Sequence, residues 1–305
     1  MKGVTKNDKL IAYLLIFLVV IIWGVGPPLN VVINKDYSVG LRLAIIGFIS
    51  AIVLTFCCIK KLKQLNKNYF LCAVPTGLFL ALASLVQKIG LFYTTPTRYA
   101  FLENISCVVV PIILFFAIKK KPRLLTVVAC VLCLVGSFVL SGMSFSVESF
   151  SFGKGELLCA LAGVLYGVNI AYTGINIKKF DTMLYLMIQL WTTAIFGLIF
   201  AVMMSVIKIN GVPIETMKFS WNLGGIALLI VLALVSNLLC WFLRTHAIRF
   251  ISPVAVSVIM PFTAVVTGVV SIISGMDVIS GELIYGGIIT LIAIILSSIA
   301  DTKDK

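Results

Sequence analysis

The sequence predicts an all-α membrane protein of ten transmembrane helices, arranged as a five-plus-five inverted repeat. Three observations support this prediction. Hydrophobic residues make up 61% of the 305 residues and charged residues only 11%, whereas a soluble domain has about 25% charged residues. Ten apolar runs follow one another, each about long enough to cross a bilayer as a helix. Internal similarity divides these runs into two sets of five.

The predicted spans cover nearly the whole chain and leave no room for a soluble domain. The first apolar run is longer than the hydrophobic region of a cleavable signal peptide, so it is predicted as a span. The spans lie at roughly 11–33, 39–59, 70–91, 96–118, 124–141, 155–176, 183–207, 222–246, 252–273 and 282–300.

The formal net charge of +13 has a membrane explanation. Most of the 24 Lys and Arg residues lie in alternate gaps between spans, and the positive-inside rule then places both termini in the cytoplasm. We expect a multi-pass protein of the cell (plasma) membrane. No basic face with interleaved aromatic residues indicates nucleic-acid binding.

Several other functions are not expected. All eight cysteines fall within apolar runs, where they are expected to be small packing residues rather than metal ligands or redox groups. The chain has no P-loop and no H-E-x-x-H motif, so neither ATP hydrolysis nor an enzyme activity is expected. No cofactor or metal is expected.

Two pairs of segments carry the internal similarity. TTPTRYAFLEN aligns with ISPVAVSVIMP, which pairs Asn104 with Pro261, and IIWGVG aligns with VLYGVN, which pairs Trp23 with Tyr166. Five spans in each half invert the second half relative to the first. Inverted repeats are typical of alternating-access transporters, whose substrate site lies at the repeat interface near the bilayer midplane.

A family resemblance follows from several of these residues. The W-G near the end of span one, Arg42 early in span two, the YTTPTRYAFLENISCVVVP stretch and the I-S-P…P pattern of span nine resemble the EamA domain of the drug/metabolite transporter superfamily. The resemblance implies two tandem copies, at 1–143 and 144–305, and a ten-helix exporter-type fold. It also implies a central cavity lined by spans one, three, four, six, eight and nine. Tyr166 and Asp277 depart from the family pattern, which leaves substrate and coupling open.

Glu103 and Asn104 lie near the middle of predicted span four. A carboxylate at that depth costs about 2.5–3.5 kcal/mol on insertion scales, so it is expected to face protein, water or substrate. Three roles remain open for Glu103: binding a cationic substrate, carrying the coupling proton, or forming a structural ion pair with Arg42, Lys88 or Arg98.

Aromatic and amide side chains recur at helical spacing on several spans. We expect them to line a pocket, although amides also join helices by hydrogen bonds and aromatic residues also form interfacial belts. Arg244, near a span end, is expected to snorkel to the interface. The predicted substrate-binding residues are Trp23, Tyr99, Glu103, Asn104, Tyr166, Asn169, Trp191, Asn237 and Trp241.

The function predicted is secondary active transport of a small metabolite, an amino acid or a related amphiphilic compound, by alternating access. The resemblance implies export, and the proton gradient is the expected energy source. The alternative is an importer of choline-like cations, held by Glu103 and by cation–π contacts in an aromatic cage. The expected partners are a small-molecule substrate, the lipid bilayer and protons. The chain is expected to be a monomer or a homodimer, with close contact at Gly286–Gly287 within the monomer or between copies.

Overall fold

The computed structural model describes residues 5–26, 29, 33, 36–94, 99, 102–119, 121–140, 153–209, 212–213, 217–273 and 281–302, most of which form apolar helices. The helices are α1 Lys6–Gly24, α2 Val39–Cys57, α3 Lys67–Gly90, α4 Ser106–Ile118, α5 Leu124–Leu140, α6 Lys154–Asn176, α7 Thr182–Val206, α8 Leu223–Ala247, α9 Pro253–Ile259 with Phe262–Ile273, and α10 Gly281–Thr302.

Length and composition separate these helices into two groups. Eight are long and apolar enough to cross a bilayer, α9 among them as Pro253–Val270, while α4 and α5 are shorter apolar helices. Short 3₁₀ turns at Ile59–Gln64 and Ile177–Lys179 follow α2 and α6. A two-residue hairpin pairs Lys208–Ile209 with Val212–Pro213 between α7 and α8. The prediction of a multi-pass, all-helical membrane protein is confirmed at this level.

Side-chain caps mark where α1, α3, α7 and α9 begin. Thr5, Asn66, Asp181 and Ser252 each accept hydrogen bonds from backbone N–H groups of the first turn, which have no partner within the helix. These four helix starts lie on one side of the molecule. Asp301 contacts both Lys9 and Ser252, Asp181 contacts Lys61, and Arg249, just before α9, donates to Thr182 at the start of α7. We call this the capped side.

Two predicted spans are not continuous helices. The α4 helix begins only at Ser106, after a turn at Asn104 and Ile105 in which the Cys107 N–H donates to the Asn104 carbonyl over 3.0 Å. Span nine breaks at Met260 and Pro261, because proline lacks an N–H and its ring clashes with the preceding turn. Glu103 and Asn104 therefore lie at a break and not near the middle of one helix, which corrects the prediction. Arg98, Asp277 and the boundary at 143–144 lie outside the described residues.

The helices pack in a small set of pairs. The α2 helix packs on α7, and α5 packs on α10. In the same way α3 packs on α6 and α7, α8 packs on α1 and α2, α4 packs on α6, and α9 packs on α1. At the α5–α10 contact a Cβ atom on Gly286 would lie 2.7 Å from the Gly136 carbonyl oxygen. Gly286 thus serves helix packing within the monomer.

Candidate functional site

A central cavity of about 180 Å³ lies between the helices. It is lined by residues of α1, α3, α6, α8 and α9 and of the stretch leading into α4, as the resemblance implied, and also by Gly47 of α2 and Thr193 of α7. The predicted residues that line it are Trp23, Tyr99, Glu103, Asn104, Tyr166, Asn237 and Trp241. The fold thus brings together residues from both halves of the chain.

Glu103 belongs to a hydrogen-bonded group at one wall of the cavity. Gln87 Nε2 donates to Glu103 Oε2 over 3.1 Å and also to the Tyr99 hydroxyl. Tyr166 donates its hydroxyl proton to Gln87 Oε1 over 2.8 Å, and Ser84 Oγ lies 3.1 Å from the same hydroxyl. Gln87 is therefore the residue that joins α3, α6 and the stretch before α4, and sequence analysis had not placed it in the site.

Two cationic side chains also line the cavity, Lys88 and Arg244. Lys88 Nζ lies 3.4 Å from the Ser84 carbonyl oxygen, one turn back on α3. Ion pairs join Lys9 to Asp301 and Lys61 to Asp181, and neither of them includes Glu103. Within the described part of the chain, the lining of the cavity holds one carboxylate, Glu103, and two cations.

Arg244 is buried, with 3% of its surface exposed, so the expectation that it snorkels to the interface is wrong. Its Nη2 donates to Asn169 Oδ1 over 3.0 Å, and its Cζ lies 4.5 Å from the centre of the Trp241 ring. These neighbours hold the charge inside the protein, while Nε has no hydrogen-bond partner among the described residues. The spacing of Asn237, Trp241 and Arg244 on one helix face could have indicated this position.

Three aromatic rings pack together beside the hydrogen-bonded group of Glu103, and Tyr166 belongs to both. The Trp23 and Trp241 rings lie 4.9 Å apart between centres, and Tyr166 stacks on Trp241 at 6.2 Å. The indole N–H of Trp23 donates to the Ser236 carbonyl over 2.7 Å. Trp23 and Tyr166, which the internal alignment pairs, thus flank Trp241 from the two halves of the chain.

Two predicted residues lie outside the cavity. Asn169 donates to the Thr76 carbonyl over 2.8 Å and accepts from Arg244, so it orients Arg244 from behind. Trp191 donates its indole N–H to Thr55 Oγ1 over 3.0 Å and packs α7 against α2. The Asn169 amide and the Trp191 indole both form hydrogen bonds with neighbouring helices, which explains why neither side chain reaches the cavity.

Buried side chains lie between the cavity and the capped side. Lining residues such as Trp23 and Lys88 lie near the ends of α1 and α3, away from the caps, while Arg244 lies near the end of α8. Between them and the capped side lies a layer of almost completely buried side chains, which includes Ile16, Ile177, Leu184 and Ile248. Below this layer Lys61 Nζ pairs with Asp181 Oδ2 at 2.8 Å.

Comparison with known proteins agrees with this architecture. Residues 10–142 match the model of the EamA-like transporter family. The matched residues, a little under half of the chain, run from α1 to the end of α5. This part of the chain is therefore similar to EamA-like transporters.

The fold also has a counterpart among solved structures. A protein crystal structure superposes with a TM-score of 0.74 at 13% sequence identity, and the match covers 96% of this chain and 98% of the other. At that identity the likeness concerns the fold. No curated protein matches the sequence.

Proposed function

We propose that this protein is a transporter of the drug/metabolite type and that it moves a small zwitterionic metabolite, an amino acid or a related amphiphilic compound, through the central cavity. The observation that carries the proposal is the presence of both signs of charge in one cavity. The substrate carboxylate binds Arg244, whose Nε lacks a hydrogen-bond partner among the described residues, and the ammonium binds Glu103 beside Gln87. The apolar part of the substrate lies against Trp23 and Trp241.

Cavity size supports a small substrate. A cavity of about 150 Å³ holds a molecule such as benzene, whereas sites for drug-sized ligands measure about 300–1,000 Å³. The volume of about 180 Å³ is therefore matched to a metabolite of amino-acid size.

The charges disfavour a choline-like cation as the substrate. Such a cation would need the face of an aromatic ring, but Arg244 already lies over Trp241. The cation would also be repelled by Lys88 and Arg244 and attracted by one carboxylate, Glu103. A zwitterion balances these groups better.

Alternating access by a five-plus-five inverted repeat fits the helix pairs. If each helix is replaced by its counterpart in the other half, the pair α3–α6 becomes α8–α1 and the pair α4–α6 becomes α9–α1. The pairs α2–α7 and α5–α10 stay the same. The breaks at Asn104 and Pro261 stand at positions that the internal alignment pairs. Both features support tandem repeats at 1–143 and 144–305.

We further propose proton-coupled export across the plasma membrane, with both termini in the cytoplasm. The capped side carries basic residues such as Lys61 and Lys67, which favours a cytoplasmic location, so the cavity would be closed toward the cytoplasm. Glu103 is the carboxylate of the cavity among the described residues and is the group proposed to carry the proton.

The test is binding and transport in reconstituted full-length protein, with amino acids, polyamines, choline-like cations and nucleosides as ligands. We expect an amino acid to raise the unfolding temperature of the wild type and to move with protons. Glu103→Gln should lose coupled proton movement, and Arg244→Met should lose binding of the amino acid. Trp191→Phe, outside the cavity, is the control and should keep both.

Other outcomes would contradict the proposal. Stabilisation by a choline-like cation that survives Arg244→Met would favour the importer of organic cations. Unchanged binding and transport in Glu103→Gln, with lower basal stability, would make Glu103 a structural residue.

A further inference from the structure

The middle of α8 is a π-helix, and this segment borders the cavity. It spans Leu232–Leu239 between the α-helical parts Leu223–Val231 and Cys240–Ala247, and the Cys240 N–H donates to the carbonyl of Val235, five residues earlier. Segments of π-helix are rare and are often found at functional sites. Because such a segment is rare, hydrogen bonds from other helices are needed to explain why α8 keeps the π register.

The π register decides which side chains of α8 face the cavity. Leu232 and Trp241 both line it. In an unbroken α-helix, residues nine apart point about 180° away from each other, since each residue turns the helix by about 100°. Leu234, seven residues before Trp241, would instead lie within about 20° of the Trp241 face. The π-helix thus brings Leu232 to the cavity in place of Leu234.

Ser50 of α2 holds this segment from one side. It is completely buried, and its hydroxyl oxygen lies 2.7 Å from the Ala233 carbonyl oxygen and 2.8 Å from that of Ile46. The same oxygen accepts a hydrogen bond from Asn237 Nδ2 over 2.9 Å. From the other side, the Trp23 indole donates to the Ser236 carbonyl.

We propose that Ser50 is a positioning residue that fixes the π register of α8 and thereby selects the side chains that α8 presents to the substrate. The lower part of α8 is held separately, because Arg244 donates to Asn169 and Trp241 stacks with Tyr166. With the lower part fixed, return to an α register would turn Asn237 away from Ser50 and move Leu232 off the cavity.

The consequence for specificity rests on the transport function proposed above, but the register itself does not. Leu232 and Asn237 contribute an apolar and an amide group to the cavity, beside the groups proposed to bind the charged ends of the substrate. Loss of the π register would replace Leu232 by another side chain of α8, such as Leu234. Substrate selectivity would then change while Glu103, Lys88 and Arg244 remain in place.

The register can be tested by thiol labelling of the full chain in liposomes. Leu232→Cys and Leu234→Cys each introduce one reporter, and a charged, membrane-impermeant methanethiosulfonate is the probe. None of the eight native cysteines, all in described parts of the chain, lines the cavity, so native protein gives the background. With Ser50 present, we expect Leu232→Cys to be labelled faster than Leu234→Cys.

The decisive comparison uses Ser50→Ala. We expect the ratio of the two labelling rates to fall by roughly fivefold, the change in population that the net free energy of one hydrogen bond corresponds to. Ser50→Thr keeps the hydroxyl and should restore the ratio. Thr192→Val removes a hydroxyl that, among the described residues, bonds its own helix at the Ile188 carbonyl, and it should leave the ratio unchanged.

An unchanged ratio in folded Ser50→Ala protein would overturn the proposal, as would an equal fall in Thr192→Val. If Ser50→Ala does not fold, Asn237→Ala removes the donor to Ser50 and Trp23→Phe removes the donor to Ser236, and each should lower the ratio. An unchanged ratio in both would overturn the proposal too. The labelling needs no substrate, so its result is independent of whether the transport proposal holds.

Discussion

Arg244 keeps a charge inside the membrane-spanning region because neighbouring side chains replace water. Asn169 accepts its hydrogen bond at 3.0 Å and Trp241 offers the face of its ring at 4.5 Å. A buried cation of this kind is stable only while those partners remain. Asn169, which does not reach the cavity, is therefore as necessary to the site as the residues that line it.

We predict that Asn169→Leu lowers the free energy of unfolding by about 1–3 kcal/mol, because it leaves a buried charged donor without its acceptor. Denaturant unfolding in mixed micelles measures the change. Asn176→Leu is the matched control, since Asn176 bonds the Tyr172 carbonyl at an exposed position, and it should cost less. Adding Arg244→Met to Asn169→Leu should recover part of the loss, and a purely additive loss would contradict the pairing.

Residue spacing predicted some of the side chains that line the cavity and missed others. Trp23, Tyr166 and Trp241 could be predicted because they stand with amides on single helix faces. Trp191 could not be placed, because a span in lipid shows little contrast between its lipid-facing and protein-facing sides. Arg244 was predicted to reach the interface because it lies near the end of its span. Its partner on α6, Asn169, could not be paired with it from spacing alone.

Among the helices, α7 shows how the ends are stabilised. Asp181 caps it by accepting from the N–H groups of Met183 and Leu184 and pairs with Lys61. Burial raises the pKa of Asp181, but the Lys61 ammonium and the two N–H groups outweigh that effect and hold the pKa below its ordinary value of 3.8. The carboxylate form is thus favoured by folding.

We predict that Asp181→Ala lowers the free energy of unfolding by about 0.5–2 kcal/mol, as expected for a lost N-cap. Asp181→Asn keeps the cap and should lose less. Since the folded-state pKa is depressed, the stabilisation is complete above the ordinary pKa and disappears as the pH falls through the folded-state value. Unfolding measured at pH 7 and below pH 4 checks both points, and an Asp181→Ala deficit that is unchanged by acid would contradict the carboxylate's role.

Helix existence was predictable, and helix interruption was predictable only at proline. Hydropathy located the spans, and Pro261 gave a physical reason for the break in α9. The turn at Asn104 and Ile105 contains neither glycine nor proline. The π segment of α8 likewise reads as ordinary apolar helix, since its register depends on Ser50 and Trp23 from other helices.

In the whole molecule, the α5–α10 contact joins the last helix of each half. We predict that Gly286→Ala lowers the free energy of unfolding by about 1–3 kcal/mol through overpacking, because its Cβ would lie 2.7 Å from backbone atoms of Gly136 and Leu140. Gly281→Ala is the control, since its nearest neighbour is at 3.5 Å, and it should change little. Denaturant unfolding measures both, and equal effects would show that the contact is loose.

The overall organisation was predictable to the level of the spans and of the likeness to a family. Composition and span spacing predicted the membrane class, and the motifs around Trp23 and Thr94–Pro111 lie within the residues that match EamA-like transporters. The pairing of helices across the halves was not visible in the sequence, because few identities link the two halves. Equivalent helix pairs in the two halves can keep the same packing geometry even though the residues at their contacts differ.

One contact near the two ends of the chain has a consequence for how the protein can be built. Asp301 binds Lys9 and Tyr13 of α1, so the beginning of the first helix and the end of the last helix meet on one side. A circular permutant that starts at Gly153, runs to Thr302 and continues through a short linker to Thr5 and on to Leu140 keeps every helix pair described above. We expect such a permutant to keep the fold, whichever half of the chain is synthesised first.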